Sequence, residues 1–163
     1  MTGVPNIIVV EADLDRPEHQ QAIRDMLDAY SRDPMGNGRP LPPDVLERLV
    51  PELRNHPTAV VLLAYDGERP VGIATCFEGL STFVARRLLN LHDLAVIPEY
   101  RGRGVGRQLL AAVEEQARTL GCCKVTLEVL ENNPALRVYE AAGYSAPDYG
   151  NGAGRSLFLA KPL

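Results

Sequence analysis

The sequence has little cysteine. Cys76, Cys122 and Cys123 are its three thiols, an odd number that argues against a disulfide framework. No CxxC and no Cys/His ligand spacing occurs, so a structural zinc or other metal site is not expected. The three are read as reduced thiols. Nor is there an uncharged run near the roughly 18 residues of a transmembrane helix. A positively charged n-region is also missing: Glu11, Asp13 and Asp15 stand near the start, which does not fit a signal peptide. The expectation is a soluble, cytoplasmic protein with no membrane partner. Basic residues are not in excess. Lys+Arg is 17 against Asp+Glu at 21, a net charge of −4. That disfavours a dedicated nucleic-acid binder, whose affinity comes from neutralising phosphates. Repeats and low-complexity tracts are absent.

What is present is ordinary for a globular chain. Apolar residues are 45% and charged residues 23%, which argues against disorder. At roughly 150 residues per domain, 163 residues predict a single domain over 1–163. Such a chain buries about 70% of the surface it would expose unfolded.

Hydrophobic spacing gives the order of elements. Ile7 to Val10 is a short β-branched run, read as a strand. Pro17 suits a first helical position, and Ile23, Met26, Leu27 and Tyr30 mark one helix face. Pro34, Gly36, Gly38, Pro40, Pro42 and Pro43 make a loop. A short helix carrying Val45, Leu46 and Leu49 follows, ended or kinked by Pro51. Thr58 to Tyr65 and Val71 to Phe77 read as strands joined at Asp66-Gly67, a hairpin signal. Leu91 to Ile97 is a fourth strand. Val105, Leu109, Val113 and Leu120 make a long amphipathic helix that stops at Gly121. Lys124 to Leu130 is a strand. Asn133 and Pro134 start a helix that Gly143 ends. Tyr144 to Tyr149 and Ser156 to Ala160 are read as two final strands. Hairpins first and βαβ later predict an α/β fold: a mixed, mostly antiparallel sheet of about seven strands with about four helices on its faces.

The most informative segment is Arg101-Gly102-Arg103-Gly104-Val105-Gly106, between a strand and a helix. Glycines let the backbone approach a ligand closely. Free N–H groups at a helix start hold anions, and Arg101, Arg103 and Arg107 add positive charge. A P-loop is excluded because no Lys-Ser/Thr follows. A dinucleotide fingerprint is excluded because, from Gly102, the third glycine comes one residue early.

This stretch, with Leu91 to Tyr100 before it, resembles motif A of the GNAT superfamily of acyl-CoA-dependent N-acyltransferases. That motif is a strand followed by [QR]-x-x-G-x-[GA], here Arg101, Gly104 and Gly106. Leu127-Glu128-Val129, Asn132, Ala135, Val138-Tyr139 and Gly143-Tyr144 resemble motif B. Val138 stands for the usual Leu and Tyr144 for the usual Phe. The match covers Leu91 to Tyr144, about a third of the chain. The first ninety residues carry no specific motif.

The resemblance implies a GNAT-like domain that takes acetyl-CoA as cosubstrate and acetylates a small-molecule or protein amine. Backbone amides of Arg101, Gly102, Arg103, Gly104, Val105, Gly106 and Arg107 would hold the pyrophosphate. Leu94, Ala95 and Val96 would line the pantetheine arm, which pairs like an added strand; Asn132 and Ala135 would contact it. Tyr139 stands at the general-acid position, and a phenol with pKa near 10 can protonate a thiolate. Val96 N–H would meet the oxyanion. His92 is the first base candidate, on a strand where some members carry a histidine acting through water; it shares a face with Leu94 in an ideal strand. Asp93, if a bulge re-aims it, Glu78, and water alone remain open. Arg86-Arg87 would meet a CoA phosphate or an acidic substrate, or only solvent. Gly79 to Leu89 and Asp33 to Pro43 would set acceptor specificity. His19 and His56 read as surface residues and Cys76 as core. Pairing of two copies through the terminal strands follows by analogy. The alternative is a non-catalytic acyl-CoA sensor or partner module.

Overall fold

The computed structural model of the protein describes residues 6–147, 150, 152 and 156–163. The chain divides into two compact units, Met1–Leu127 and Glu128–Leu163.

The first unit is built on one five-stranded sheet in the order β1-β2-β3-β4-β5. The strands are β1 (Ile7–Glu11), β2 (Ala59–Asp66), β3 (Arg69–Ser81), β4 (Arg86–Val96) and β5 (Val125–Leu127). The first four pair antiparallel, and β4 pairs parallel with β5. The helices are α1 (Pro17–Arg32), α2 (Pro43–Asn55) and α3 (Val105–Thr119). In β3, a Cβ on Gly72 would meet Leu109 and Val105 of α3. The next residue, Ile73, instead joins Ile23 and Met26 of α1 and Val50 and Leu53 of α2 in one buried cluster. Alternation along the strand therefore sets α3 on one face and α1 with α2 on the other. A mixed sheet covered on both faces agrees with the expected class.

Several expectations change. Among the described residues the sheet has five strands rather than seven. Tyr144–Pro147 and Ser156–Ala160 form no strand, and Asp148 and Tyr149 lie outside the described residues. Leu157, Phe158 and Leu159 are exposed by 77–84%, so alternation found no surface there to bury it. The β3–β4 hairpin is longer than expected: β3 runs past Phe77 to Ser81, and β4 starts at Arg86 rather than Leu91. The segment from Gly79 to Leu89 is thus mostly ladder. α2 continues through Pro51 to Asn55, because buried Val50 and Leu53 flank the proline and anchor the final turn. His19 is buried, not on the surface; Asp13 N–H donates to its Nδ1 at 2.9 Å.

In the second unit, α4 spans Leu136–Ala141. It starts later than Pro134 because Asn133 forms a local turn first, its Oδ1 accepting from Ala135 N–H at 2.9 Å. Tyr139 is buried, with its ring 6.1 Å from that of Tyr144.

Candidate active site

The site begins with a defect in β4. Thr75 pairs with Asp93 and the next residue, Cys76, pairs with Leu91. His92 is therefore the extra residue of a β-bulge. The parallel pairing with β5 ends at the same place, at Leu91 opposite Leu127. Beyond it, Ile97 N–H donates to Val71 O at 3.0 Å. Amides alternate sides along an antiparallel strand, so Leu94 and Val96 turn theirs away from β3, to the side that β5 has left. Ala95 turns its amide toward β3 and packs its side chain on the α1–α2 cluster; it is a wall rather than a donor.

The bulge also decides which side chains meet. Asp93 shares the α1 face with Thr75, whose Oγ1 donates to Asp93 Oδ2. His92 is exposed and lies edge-on to Phe77, with ring centroids 5.6 Å apart. Phe77 packs on the α1–α2 cluster, whereas Leu94 pairs with Ala74 on the α3 face. His92 and Leu94 therefore do not share a face, since the extra residue reverses the alternation. Glu78 is held by Arg87 in an ion pair at 3.3 Å.

The glycine-rich turn follows at the start of α3. Gly104 is the N-cap residue with φ 85° and no side chain caps the helix. That left-handed conformation suits glycine. The N–H groups of Val105, Gly106 and Arg107 have no partner within the helix. A Cβ built on Gly102 or Gly104 meets nothing within 4 Å, and one on Gly106 only touches Val96 Cγ2 at 4.0 Å. The space above the turn is open and lined by backbone donors, which fits a diphosphate. The arginines are less uniform than their spacing suggests. Arg103 lies over the Tyr100 ring at 5.3 Å, with Arg69 also over that ring at 5.4 Å. Arg101 folds back: Nε donates to Val96 O at 2.9 Å, and Nη2 pairs with Asp33 Oδ2 at 2.7 Å.

Between α1 and β4 lies a cleft of about 270 Å³, with Tyr30, Arg32 and Asp33 on one side and Ala95, Val96 and Arg101 on the other. Burial raises the Tyr30 phenol, and the Asp93 and Asp33 carboxylates raise it further. The Met35 N–H, then the Arg101 guanidinium, hold the Asp33 carboxyl below its usual range. The sequence places Tyr30 only on a helix face, Asp33 only at the start of a specificity loop and Thr75 only within a strand; their meeting at this cleft and bulge it does not show. They belong to no motif, and Asp33 precedes Arg101 by 68 residues. Among the described residues no group of three His, Cys, Asp or Glu side chains is placed to hold a metal. No helix there is long and apolar enough to cross a membrane. Burial pushes the Cys76 thiol up to about 12, which leaves it inert as a nucleophile.

In the second unit, Asn132 is exposed and Ala135 is half-buried at the N-cap of α4. Tyr139 is buried one helical turn later.

The model of the acetyltransferase (GNAT) family matches residues 23–144. The chain belongs to this family. The GNAT match reaches back to Ile23 in α1, well before motif A. Among curated relatives, the chain is 32% identical to the uncharacterized N-acetyltransferase YhfO of Bacillus subtilis (strain 168), over 56% of this chain and 62% of that protein. It is 38% identical to the thialysine N-epsilon-acetyltransferase of Bos taurus, over 45% of this chain and 43% of that protein. The matches thus span about two fifths to three fifths of those relatives. Among solved structures, AAC(6')-Iy in complex with the bisubstrate analog CoA-S-monomethyl-acetylneamine superposes with a TM-score of 0.73 at 18% identity. It covers 97% of this chain and 99% of that one. At that identity the likeness shows the GNAT fold alone.

Proposed function

We propose that this GNAT chain is a cytoplasmic N-acetyltransferase that carries the acetyl group of acetyl-CoA to a primary amine by direct attack. The observation that carries the reading is one juxtaposition: β4 loses its β5 partner after Leu91, and eight residues after Val96 the chain reaches Gly104, the start of an uncapped, glycine-open helix. A strand edge suits the amides of a pantetheine arm, and the helix start suits a diphosphate.

When bound, acetyl-CoA supplies an activated acetyl thioester. Residues 101–107 would hold its diphosphate through backbone N–H groups. Leu94 and Val96 would pair with the pantetheine; the contacts of Asn132 and Ala135 with it are what the motif B resemblance implies. Val96 N–H would face the negative charge that grows on the carbonyl oxygen. Tyr139 would hold the proton that the leaving sulfur takes. The amine must arrive neutral. His92 and Asp93 are the two groups at the bulge able to accept its proton, directly or through water. The relative named for thialysine supports an amine acceptor, which would enter on the α1–β4 side of the bulge.

Isothermal titration with acetyl-CoA, with desulfo-CoA and ATP as comparators, tests the cosubstrate; a panel of primary amines then tests turnover. Micromolar acetyl-CoA binding that outcompetes ATP, with acetyl transfer to any amine, is expected. Tight binding without transfer to the whole panel would turn the reading toward a sensor module. No binding would overturn it.

A further inference from the structure

We propose that Asp33 is a positioning residue for the acetyl-CoA cradle, acting through Arg101; this rests on the reading of residues 101–107 as that cradle. Arg101 is the residue through which the chain enters the glycine-rich turn. Its guanidinium is forked between two elements: Nε donates to Val96 O at the end of β4, and Nη2 pairs with Asp33 beyond the end of α1. An ion pair between swinging surface chains contributes little. Asp33 is not such a chain. Its side chain is 15% exposed. Oδ1 accepts from Met35 N–H at 2.8 Å, and its own N–H donates to Tyr30 O at 3.0 Å. Both oxygens and the backbone are committed, so the carboxylate is a fixed post.

The contacts form a chain: the end of α1, Asp33, Arg101, then the carbonyl of Val96. They span the α1–β4 cleft, where Asp33 lines one wall and Val96 and Arg101 the other. The Val96 carbonyl begins the peptide that leads into the Pro98–Tyr100 turn and the glycines. Val96 N–H faces the open edge of β4. Holding the carbonyl from the cleft side fixes both the last residue of the open edge and the entry of the anion loop. A guanidinium does this because its donors point in two fixed directions at once. A plain loop staple would predict something different: loss of Asp33 would lower the melting temperature and leave acetyl-CoA binding alone.

The test is titration of the full chain with acetyl-CoA, alongside thermal melting. The variants are Asp33→Asn, Arg101→Gln, the double variant and Asp33→Glu. Asn keeps an oxygen for Met35 N–H, so the local turn survives while the ion pair is lost. Each single neutral variant is expected to raise Kd about fivefold to tenfold, the size of one ordinary net hydrogen bond, because the bond lost positions the cradle and does not touch the ligand. Asp33→Glu should recover part of it. The double variant should bind no worse than Arg101→Gln alone, because the two residues act in series. Asp33→Asn binding like wild type, or effects that multiply in the double variant, would overturn the inference. Wild type that binds no acetyl-CoA would instead overturn the cradle reading, and this inference with it. If Asp33→Asn fails to fold, Arg101→Lys keeps the charge without the fork; wild-type Kd in that variant would refute the proposal.

Discussion

Gly106 offers the sharpest test of the cradle, because stability and binding should move in opposite directions there. It is the second residue of α3 and has no positive φ. An added Cβ would touch only Val96 Cγ2 at 4.0 Å, ordinary contact. The folded chain therefore accepts Gly106→Ala without strain. Replacing glycine by alanine within a helix gains about 0.5–1 kcal/mol. For a chain of this size, 1 kcal/mol moves Tm by roughly 2–4 °C, so Gly106→Ala should melt up to a few degrees higher. Gly106→Val adds two methyl groups beyond that Cβ, with a smaller gain because valine is a poorer helix former. If a diphosphate approaches these N–H groups, that bulk displaces it. A hydrogen bond to a charged group contributes about 1.5–3 kcal/mol; losing two raises Kd roughly 10²- to 10⁴-fold. Melting followed by circular dichroism and titration with acetyl-CoA read both quantities on one preparation. Gly106→Val that melts like wild type and binds acetyl-CoA within twofold of it would refute the cradle. A fall in both would mean that the helix start was disrupted instead.

Four further outcomes follow from the same geometry. Gly72→Ala should destabilise the fold by about 1–3 kcal/mol, the usual range for overpacking, because its Cβ would stand 2.9 Å from Leu109 Cδ1 and 3.1 Å from Ala95 O; denaturant melts read this directly. Tyr139→Phe should lower kcat while acetyl-CoA Kd stays near wild type, and an unchanged kcat would remove the phenol as the acid. His92→Ala and Asp93→Asn should be compared by pH–rate profile: the variant that flattens the acidic limb identifies the base, and two unaltered profiles leave the role to water. The Cys76 thiol is raised from 9 to about 12. A raised folded pKa contributes stability that is whole below the unfolded value and is lost as pH rises through the folded one. Wild type should therefore lose stability between pH 9 and 12, and Cys76→Ala should lose less across that window in urea melts.

Part of this molecule is local, and that part is legible in the sequence. The apolar face of α1 repeats along the helix itself, so Ile23 and Met26 could be placed in the core without knowing what they would meet. The open turn from Arg101 to Gly106 depends on backbone freedom and on the free N–H groups of one helix start, both properties of a dozen adjacent residues. Family membership was legible for the same reason, since its two motifs lie within continuous stretches. The core role of Cys76 followed from an apolar strand.

Other features depend on residues far apart in the chain. The bulge at His92 exists only as a count of β4 against β3, and it reversed the faces expected for His92 and set Asp93 beside Thr75. The end of the β4–β5 pairing, which leaves Val96 facing an open edge, is a property of two strands separated by a whole helix. The proline at 51 reads as a stop or a kink, and burial of Val50 and Leu53 on either side carried the helix on through it. Ser156–Ala160 reads as a strand, yet it found none. Arg101 looked like free positive charge for a phosphate, and only the fold brought Asp33 to it. Local patterns specify what a segment is able to do; pairing, burial and charge partners are settled between segments, where free energy depends on what stands opposite.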